Sequence, residues 1–237
     1  MDRDRGPPRR PRRARHDPRD RASFRPQRRR HARARRCRGR RRGRSGHVSL
    51  AFRDVACVRG GRMLFSGVSF DLAPGDAAVV TGPNGIGKSS LIRIAAGLLP
   101  AFEGAVTCDA DKALLTEASA LDTDRALVAA LRFWASLDRA PDPDARVAHA
   151  LQALDLEALA DIPVRLLSTG QRRRAAIARI AASEAPVWLL DEPANGLDTH
   201  SVARLEALIA RHRTGGGIAL VATHLPLSMP GAQEIGL

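Results

Sequence analysis

The chain of 237 residues contains no tyrosine, and aromatic residues make up only 3% of it. Its three cysteines, Cys37, Cys57 and Cys108, lack the spacing of a disulfide framework or a zinc site, which predicts a reducing compartment. No C-x-x-C-H sequence occurs, so we expect no direct ligation of haem. No stretch approaches the roughly 18 apolar residues of a transmembrane helix, so a role at a membrane requires a partner that spans it.

Positive charge is concentrated at one end of the chain. Residues 1–46 contain 21 Arg and 4 Asp, a net charge of +17, although the whole chain carries only +14. The remaining residues contain 18 basic and 21 acidic side chains, a net charge of −3. The folded part therefore lacks the excess basicity of a nucleic-acid-binding domain, and we expect no nucleic-acid partner.

Residues 1–46 contain almost no apolar side chains, which predicts a disordered tail outside a folded domain spanning 47–237. The tail could bind nucleic acid or anionic lipid, or act as a targeting peptide, although it lacks the apolar run of a secretory signal. The interpretation we favour is upstream reading frame included by a wrong start. Arg outnumbers Lys 37 to 2, as GC-rich coding would produce, and Val48 could be a GUG start.

Apolar periodicity after residue 47 alternates between strand and helix patterns. Strands are predicted at 48–57, 63–72, 77–82, 104–110, 112–118, 187–193 and 217–224. Helices are predicted at 88–99, 121–160 and 201–213, and the stretch 121–160 is split in two by APDP at 140–143. Alternation of this kind predicts an α/β fold, with a mainly parallel sheet covered by helices on both faces. The block within 121–165 is helical throughout, so we expect an inserted helical subdomain there.

The stretch GPNGIGKSS matches the phosphate-binding loop pattern and lies between a predicted strand and a predicted helix. Its glycines let backbone N–H groups converge on phosphate oxygens at the positive end of the helix. Lys88 would reach the β- and γ-phosphates of ATP, and Ser89 would ligate Mg²⁺. The pattern predicts an ATP site formed by Gly82, Pro83, Asn84, Gly85, Ile86, Gly87, Lys88, Ser89 and Ser90.

Two later strands end in residues that suit phosphate chemistry. Asp191 ends an apolar run, which is typical of an aspartate that holds Mg²⁺ at the carboxyl end of a strand. Glu192 follows it and could orient or deprotonate the attacking water. His224 follows the strand at 217–224 and could contact the γ-phosphate. We predict Glu192, His224 and Lys88 as catalytic, and Ser89 and Asp191 as metal ligands.

The stretch LSTGQ begins a further predicted helix. Ser168 is expected as its N-cap, leaving the N–H groups of Thr169, Gly170 and Gln171 directed at an anion. Nothing beside these residues could activate water or hold a metal. Taken alone, the stretch also fits an ordinary capped helix with an Arg-rich solvated face.

In order and spacing, these four motifs resemble the ATP-binding cassette (ABC) ATPases over residues 48–237. The resemblance implies a P-loop NTPase fold and a homodimer of cassettes packed head to tail. It also implies that Ser168, Thr169, Gly170 and Gln171 close on the ATP of the other copy, and that Asp198 belongs to the loop linking the two sites.

Two positions depart from the family pattern. Arg59 lies near the place where the family has an aromatic residue that stacks on adenine. Glu117 lies at or near the place of a glutamine that contacts Mg²⁺ and transmits motion to the membrane partner, so the resemblance makes Glu117 a third metal-ligand candidate. The first change would weaken or broaden nucleotide recognition, and the second adds a negative charge.

Within this family, the stretches LRFWASL, LSTGQRRRAAIARI, DEPANGLDTHSVARLEALIARH and ATHLPL resemble the ATP-binding subunits of the haem exporters of cytochrome c maturation. That resemblance implies a peripheral subunit on the cytoplasmic side of the cell inner membrane. Its partners would be an integral membrane permease and other cytochrome c maturation proteins. Phe133 and Trp134 are expected either in the docking surface or in a plain helical core.

Three other functions remain open from the sequence. A small exporter with another substrate is the main rival. A cassette ATPase acting on nucleic acid or the ribosome usually has a second cassette, a coiled coil or a zinc insertion, none of which occurs here. A module that uses ATP only to dimerise is disfavoured by the presence of Lys88, Asp191, Glu192 and His224.

Overall fold

The computed structural model describes residues 49–138 and 140–237. The tail predicted at 1–46 and the candidate start Val48 lie outside these residues. The described strands are β1 (Leu50–Arg59), β2 (Arg62–Leu72), β3 (Ala77–Thr81), β4 (Glu103–Thr107), β5 (Lys112–Leu115), β6 (Val187–Asp191), β7 (Ile218–Ala222) and β8 (Gln233–Gly236). The helices are α1 (Lys88–Ala95), α2 (Leu127–Leu137), α3 (Pro143–Ala153), α4 (Thr169–Ala181) and α5 (Thr199–Thr214).

The strands form two sheets of different kinds. Three strands pair antiparallel in the order β2-β1-β4, and five pair parallel in the order β5-β6-β7-β3-β8. The α/β prediction with a parallel sheet is therefore confirmed. Because parallel strands end at the same edge, β3, β6 and β7 bring the segments that follow them to one side of the molecule.

Strands β6 and β7 are buried along their whole length, because both faces of the parallel sheet are covered. Val187 and Leu189 belong to a core that includes residues of α1 and of the antiparallel sheet. Trp188 and Leu190 point the other way, into a core that includes α4 and α5. Alternate residues of β6 thus pack into two different cores. This explains why successive residues of the strand are all apolar and do not alternate with polar ones.

The structure differs from the sequence prediction in three elements. Helix α1 ends at Ala95 instead of residue 99, because Gly97 adopts a left-handed φ of 75° and its N–H bonds Ile94 O at 3.0 Å. Residues 121–160 are not helical throughout: α2 begins only at Leu127, and the chain after α3 forms short 3₁₀ turns at Glu157–Leu159 and Val164–Leu166. Strand β8 was not predicted, since its residues are mostly exposed and carry no apolar run.

The helices between β5 and β6 pack on one another and on α4. Trp134 is partly buried against the core and donates its indole N–H to Ala120 O at 2.7 Å, whereas Phe133 is 50% exposed. The helical-core alternative therefore fits Trp134 and does not fit Phe133. No helix in the described part of the chain is long and apolar enough to cross a bilayer.

Candidate functional site

The phosphate-loop residues connect β3 to α1 along a path that requires glycine. Gly82, Gly85 and Gly87 all have positive φ, at 139°, 81° and 125°. A Cβ at Gly87 would lie 2.8 Å from the Phe65 ring, since the loop is pressed against β2. Strand β2 and the conformation of Gly87 therefore hold the loop in its path.

The start of α1 offers several donors to an anion. No side chain caps this helix, and among the described residues the N–H groups of Lys88, Ser89 and Ser90 have no protein acceptor. The Lys88 ammonium is 6% exposed and donates to Gly82 O at 2.8 Å and Pro83 O at 3.3 Å. A cavity of about 400 Å³ lies against these residues. Converging N–H donors beside a lysine suit a polyphosphate.

Strand β6 ends at Asp191, whose carboxylate is nearly buried and accepts a hydrogen bond from the Ser89 hydroxyl at 2.9 Å. Burial raises the pKa of Asp191, and the Ser89 hydrogen bond opposes that rise. A carboxylate and a hydroxyl that meet at a cavity are the hard oxygen donors that Mg²⁺ prefers. No group of three or more metal-binding side chains exists within the described residues, so Mg²⁺ here would take its other ligands from phosphate and water.

Glu192 lies between Lys88 and His224. Its Oε2 lies 2.7 Å from His224 Nδ1 and accepts the His224 backbone N–H at 3.2 Å, and its Oε1 lies 3.9 Å from Lys88 Nζ. Glu192 also adopts a left-handed φ of 48°, which costs about 1–3 kcal/mol for a residue other than glycine. The structure thus brings together all three residues that the sequence predicted as catalytic.

Ser168 is the N-cap of α4, and it forms a reciprocal capping box with Gln171. The Ser168 hydroxyl accepts the Gln171 N–H at 3.2 Å, and the Gln171 side chain accepts the Ser168 N–H at 2.8 Å. The expectation that the Gln171 N–H faces an anion is therefore wrong, because the cap already uses it. The N–H groups of Thr169 and Gly170 remain available at this helix end.

The residues from 168 to 171 do not line the phosphate-loop cavity of their own chain. Thr169 lines a neighbouring cavity of about 510 Å³ together with Ser89, Asp191 and Glu117. Glu117 is thus near both predicted metal ligands, as the resemblance implied.

Two other predicted positions lie away from the phosphate-loop cavity. Arg59 lies exposed at the turn between β1 and β2 and does not line that cavity. Asp198 is the N-cap of α5, where its carboxylate accepts the Ser201 N–H at 2.7 Å, and this hydrogen bond lowers the pKa of Asp198. A helix cap is the local role that the structure shows for Asp198.

Arg173 was missed by the sequence analysis, which left an Arg-rich solvated face open for this helix. The side chain is only 8% exposed and donates to the main-chain carbonyls of Thr116, Asp191, Glu192 and Pro193. The sequence did contain a signal, because Arg173 shares a helix face with Ile177 and Ile180 at i+4 and i+7. The pattern did not predict that Arg173 points inward, because a charged side chain is usually exposed.

A phosphate loop between strand and helix, with an acidic pair at the end of another strand of the same parallel sheet, defines the class of P-loop ATPases. The family model described as "ABC transporter" matches residues 65–195. The solved structure of cbiO1 from Clostridium perfringens, part of the ABC transporter complex cbiONQ, is similar with a TM-score of 0.64 and 24% identity, covering 76% of this chain and 80% of that one. At that identity the likeness shows the fold alone.

Two curated relatives are much more similar in sequence. Both are named cytochrome c biogenesis ATP-binding export protein CcmA. The relative from Sphingopyxis alaskensis is 53% identical over 79% of this chain and 96% of its own length. The relative from Zymomonas mobilis is 48% identical over 81% of this chain and 86% of its own length. The chain belongs to the ABC transporter ATP-binding proteins and, among them, to the CcmA family.

Proposed function

We propose that the chain powers the export step of cytochrome c maturation, as the ATP-hydrolysing subunit of a membrane complex. In this role it docks on an integral permease at the cytoplasmic face of the inner membrane, and ATP hydrolysis drives release of a haem-loaded chaperone on the periplasmic side. The names of its relatives support the export role. The convergence of Lys88, Ser89, Asp191 and Glu192 at one sheet edge carries the proposal.

ATP is bound by the phosphate loop. The Lys88 ammonium and the free N–H groups at the start of α1 neutralise phosphate charge, and they act in a cavity lined by the loop itself. Ser89 and Asp191 fit as ligands of Mg²⁺, and Glu117 lines the neighbouring cavity together with both of them, which supports it as a third ligand. When bound, Mg²⁺ supplies positive charge at the β- and γ-phosphate oxygens.

Glu192 acts on the water that attacks the γ-phosphorus. Its carboxylate orients the water and accepts a proton from it as the new oxygen–phosphorus bond forms and ADP leaves, so that ATP and water become ADP and phosphate. His224 keeps the Glu192 carboxylate in position through its ring nitrogen and its backbone N–H. His224 also lines the phosphate-loop cavity, which supports a contact of its side chain with the γ-phosphate.

A second copy of the chain completes each site. The phosphate-loop cavity contains none of the residues Ser168, Thr169, Gly170 or Gln171 from its own chain. The free N–H groups of Thr169 and Gly170, at the positive end of α4, suit an anion that comes from elsewhere. In a head-to-tail homodimer that anion is the γ-phosphate held by the partner's loop, and Asp198 lies in the loop between the two sites.

The test of this mechanism is Glu192→Gln, which keeps the shape of the side chain and removes its basicity. We expect ATP binding to persist and kcat to fall to a low residual rate, so that the closed dimer accumulates and light scattering shows an ATP-dependent doubling of mass. Glu157→Gln, at an exposed residue in a distant 3₁₀ turn, serves as the control. A normal hydrolysis rate in Glu192→Gln would show that Glu192 is not the base.

The export role needs a separate test, because any small ABC exporter would share this ATPase site. We expect the full chain to co-purify with a membrane permease, and deletion of its gene to abolish covalent haem staining of c-type cytochromes. Wild-type chain should restore the stain, and Lys88→Ala should not. Normal staining in the deletion strain would favour an exporter of another substrate.

The exposed face of α2 is our candidate for the permease contact. Phe133 and Leu137 are large apolar side chains that remain 50% and 61% exposed on this helix. Replacing both with serine should reduce co-purification of the permease while ATP hydrolysis by the isolated chain continues.

A further inference from the structure

Arg173 makes an unusual set of contacts for a charged side chain. Its guanidinium donates to Thr116 O at 2.7 Å, to Asp191 O at 3.0 Å, to Pro193 O at 3.2 Å and also to Glu192 O. These acceptors follow the ends of two neighbouring strands, β5 and β6. No ion pair within the described part of the chain includes Arg173, so main-chain dipoles satisfy its hydrogen-bonding groups.

One of these acceptors belongs to a residue with an unusual backbone conformation. Glu192 has the left-handed φ of 48°, its N–H donates to Ala222 O at 2.8 Å, and its carbonyl accepts from Arg173. The residue is therefore anchored on both sides, by the neighbouring strand β7 and by α4. The direction of the Glu192 carboxylate follows from this backbone, because the side chain leaves a fixed Cα.

We propose that Arg173 is a positioning residue for ATP hydrolysis, which fixes the backbone of Glu192 from helix α4 and so aims its carboxylate at the attacking water. The inference rests on the proposed role of Glu192 as the base. It assigns to Arg173 no contact with nucleotide. Its effect on the reaction passes through Glu192.

The placement of Arg173 also connects two parts of the dimer site. Arg173 lies two residues after Gln171, at the helix end proposed to meet the partner's nucleotide. A movement of α4 therefore moves the guanidinium, and the guanidinium moves Glu192 and Thr116, the residue before Glu117. When the partner's nucleotide shifts α4, Glu192, the proposed base of this chain, therefore shifts with it.

A purely structural role is the alternative, and the chain offers a matched control. The Arg146 side chain is 11% exposed and, like that of Arg173, donates to four main-chain carbonyls, those of Ala135, Ala140, Pro141 and Ala182. All of them lie in the helical region away from the phosphate loop. Loss of Arg146 removes the same number of main-chain hydrogen bonds as loss of Arg173 and also breaks an ion pair with Asp138 at 3.1 Å, but of the two arginines only Arg173 contacts Glu192.

The experiment compares Arg173→Gln, Arg173→Lys and Arg146→Gln in the full-length chain, with kcat expressed per ATP-binding site so that unfolded chains do not contribute. We expect Arg173→Gln to lower kcat about 100-fold, the effect of a misplacement of about 1 Å. The ATP dissociation constant should change by less than about threefold, because the phosphate loop is untouched. Arg173→Lys should stay impaired, since an ammonium lacks the planar fork that reaches several carbonyls.

A double-mutant cycle with Glu192→Gln separates positioning from general damage. If Arg173 acts through Glu192, adding Arg173→Gln to Glu192→Gln should cause no further loss of kcat. Multiplied losses in the double variant would overturn the proposal. So would an equal fall in kcat for Arg146→Gln and Arg173→Gln. Normal hydrolysis by Glu192→Gln would instead refute the proposed role of Glu192, which is a distinguishable failure.

Discussion

Each end of the parallel sheet holds an ionisable side chain whose pKa is shifted by burial, but in opposite directions. At the carboxyl end Asp191 is buried, and burial raises its pKa. At the amino end His212 is half-buried against Trp188 of β6, and this partial burial lowers its pKa. Desolvation therefore favours the uncharged form at both ends.

The difference lies in what surrounds each group. The His212 ring stacks on Trp188 with centroids 3.9 Å apart, its Nε2 lies 3.3 Å from Ile218 O, and Gly217 leaves room for the ring. The stacking and the main-chain carbonyl hold the ring in place at this end. At the carboxyl end, free N–H donors and the left-handed Glu192 surround Asp191. One end stabilises the fold, whereas the other leaves polar groups for a ligand.

The strongest test of this contrast is Lys88→Ala at the carboxyl end. We expect ATP affinity to fall about 100-fold, because charged hydrogen bonds to phosphate contribute about 1.5–3 kcal/mol each. The melting temperature of the nucleotide-free chain should change little. Lys112→Ala is the control, since Lys112 donates only to Ala95 O. Unchanged ATP binding in Lys88→Ala would remove the phosphate-loop assignment.

At the amino end, Gly217→Ala should reduce stability without a direct effect on nucleotide binding. A Cβ at Gly217 would overlap the His212 ring, which cannot move away from Trp188, so we expect a loss of about 1–3 kcal/mol in the free energy of unfolding. Gly215→Ala is matched to it, because its added Cβ makes only an ordinary 3.5 Å contact. Denaturant unfolding of both variants measures the difference. Equal free energies of unfolding for the two variants would show that the His212 ring does not hold the Gly217 position tightly.

The smallest expected effect is the contribution of His212 to the pH dependence of folding stability. Because its pKa is lowered in the folded chain, the unfolded chain binds more protons, and stability is lost as pH falls from about 6.5 through the lower folded pKa. His212→Phe keeps a ring on Trp188 and should flatten the fall in melting temperature between pH 7.5 and 5.5. Replacing the exposed His149 with Gln should leave the slope of the wild-type chain.

Local patterns were enough to predict much of the site. The phosphate loop, the cap at Ser168 and the strand ending in Asp191 each depend on residues adjacent in the chain, so spacing and residue type reveal them. The α/β class followed from alternating periodicities, which reflect burial of each strand and helix. The proposal of a homodimer came from family resemblance, because the periodicities hold no information about a second copy.

Other features were decided by tertiary structure, because they depend on which segments become neighbours. The strand order β5-β6-β7-β3-β8 brings Glu192 to His224 across 32 positions of sequence and recruits β8, whose exposed residues carry no strand signal. Arg173 is buried although it is charged, because the ends of β5 and β6 surround it with carbonyl oxygens that accept its hydrogen bonds. These oxygens lie close together only once the sheet has formed. The sequence by itself thus determined which groups are available for phosphate chemistry. Folding decided how Glu192, the proposed base among them, is held, since that support comes from three separate segments: the start of α1, helix α4, and β7 with the His224 that follows it.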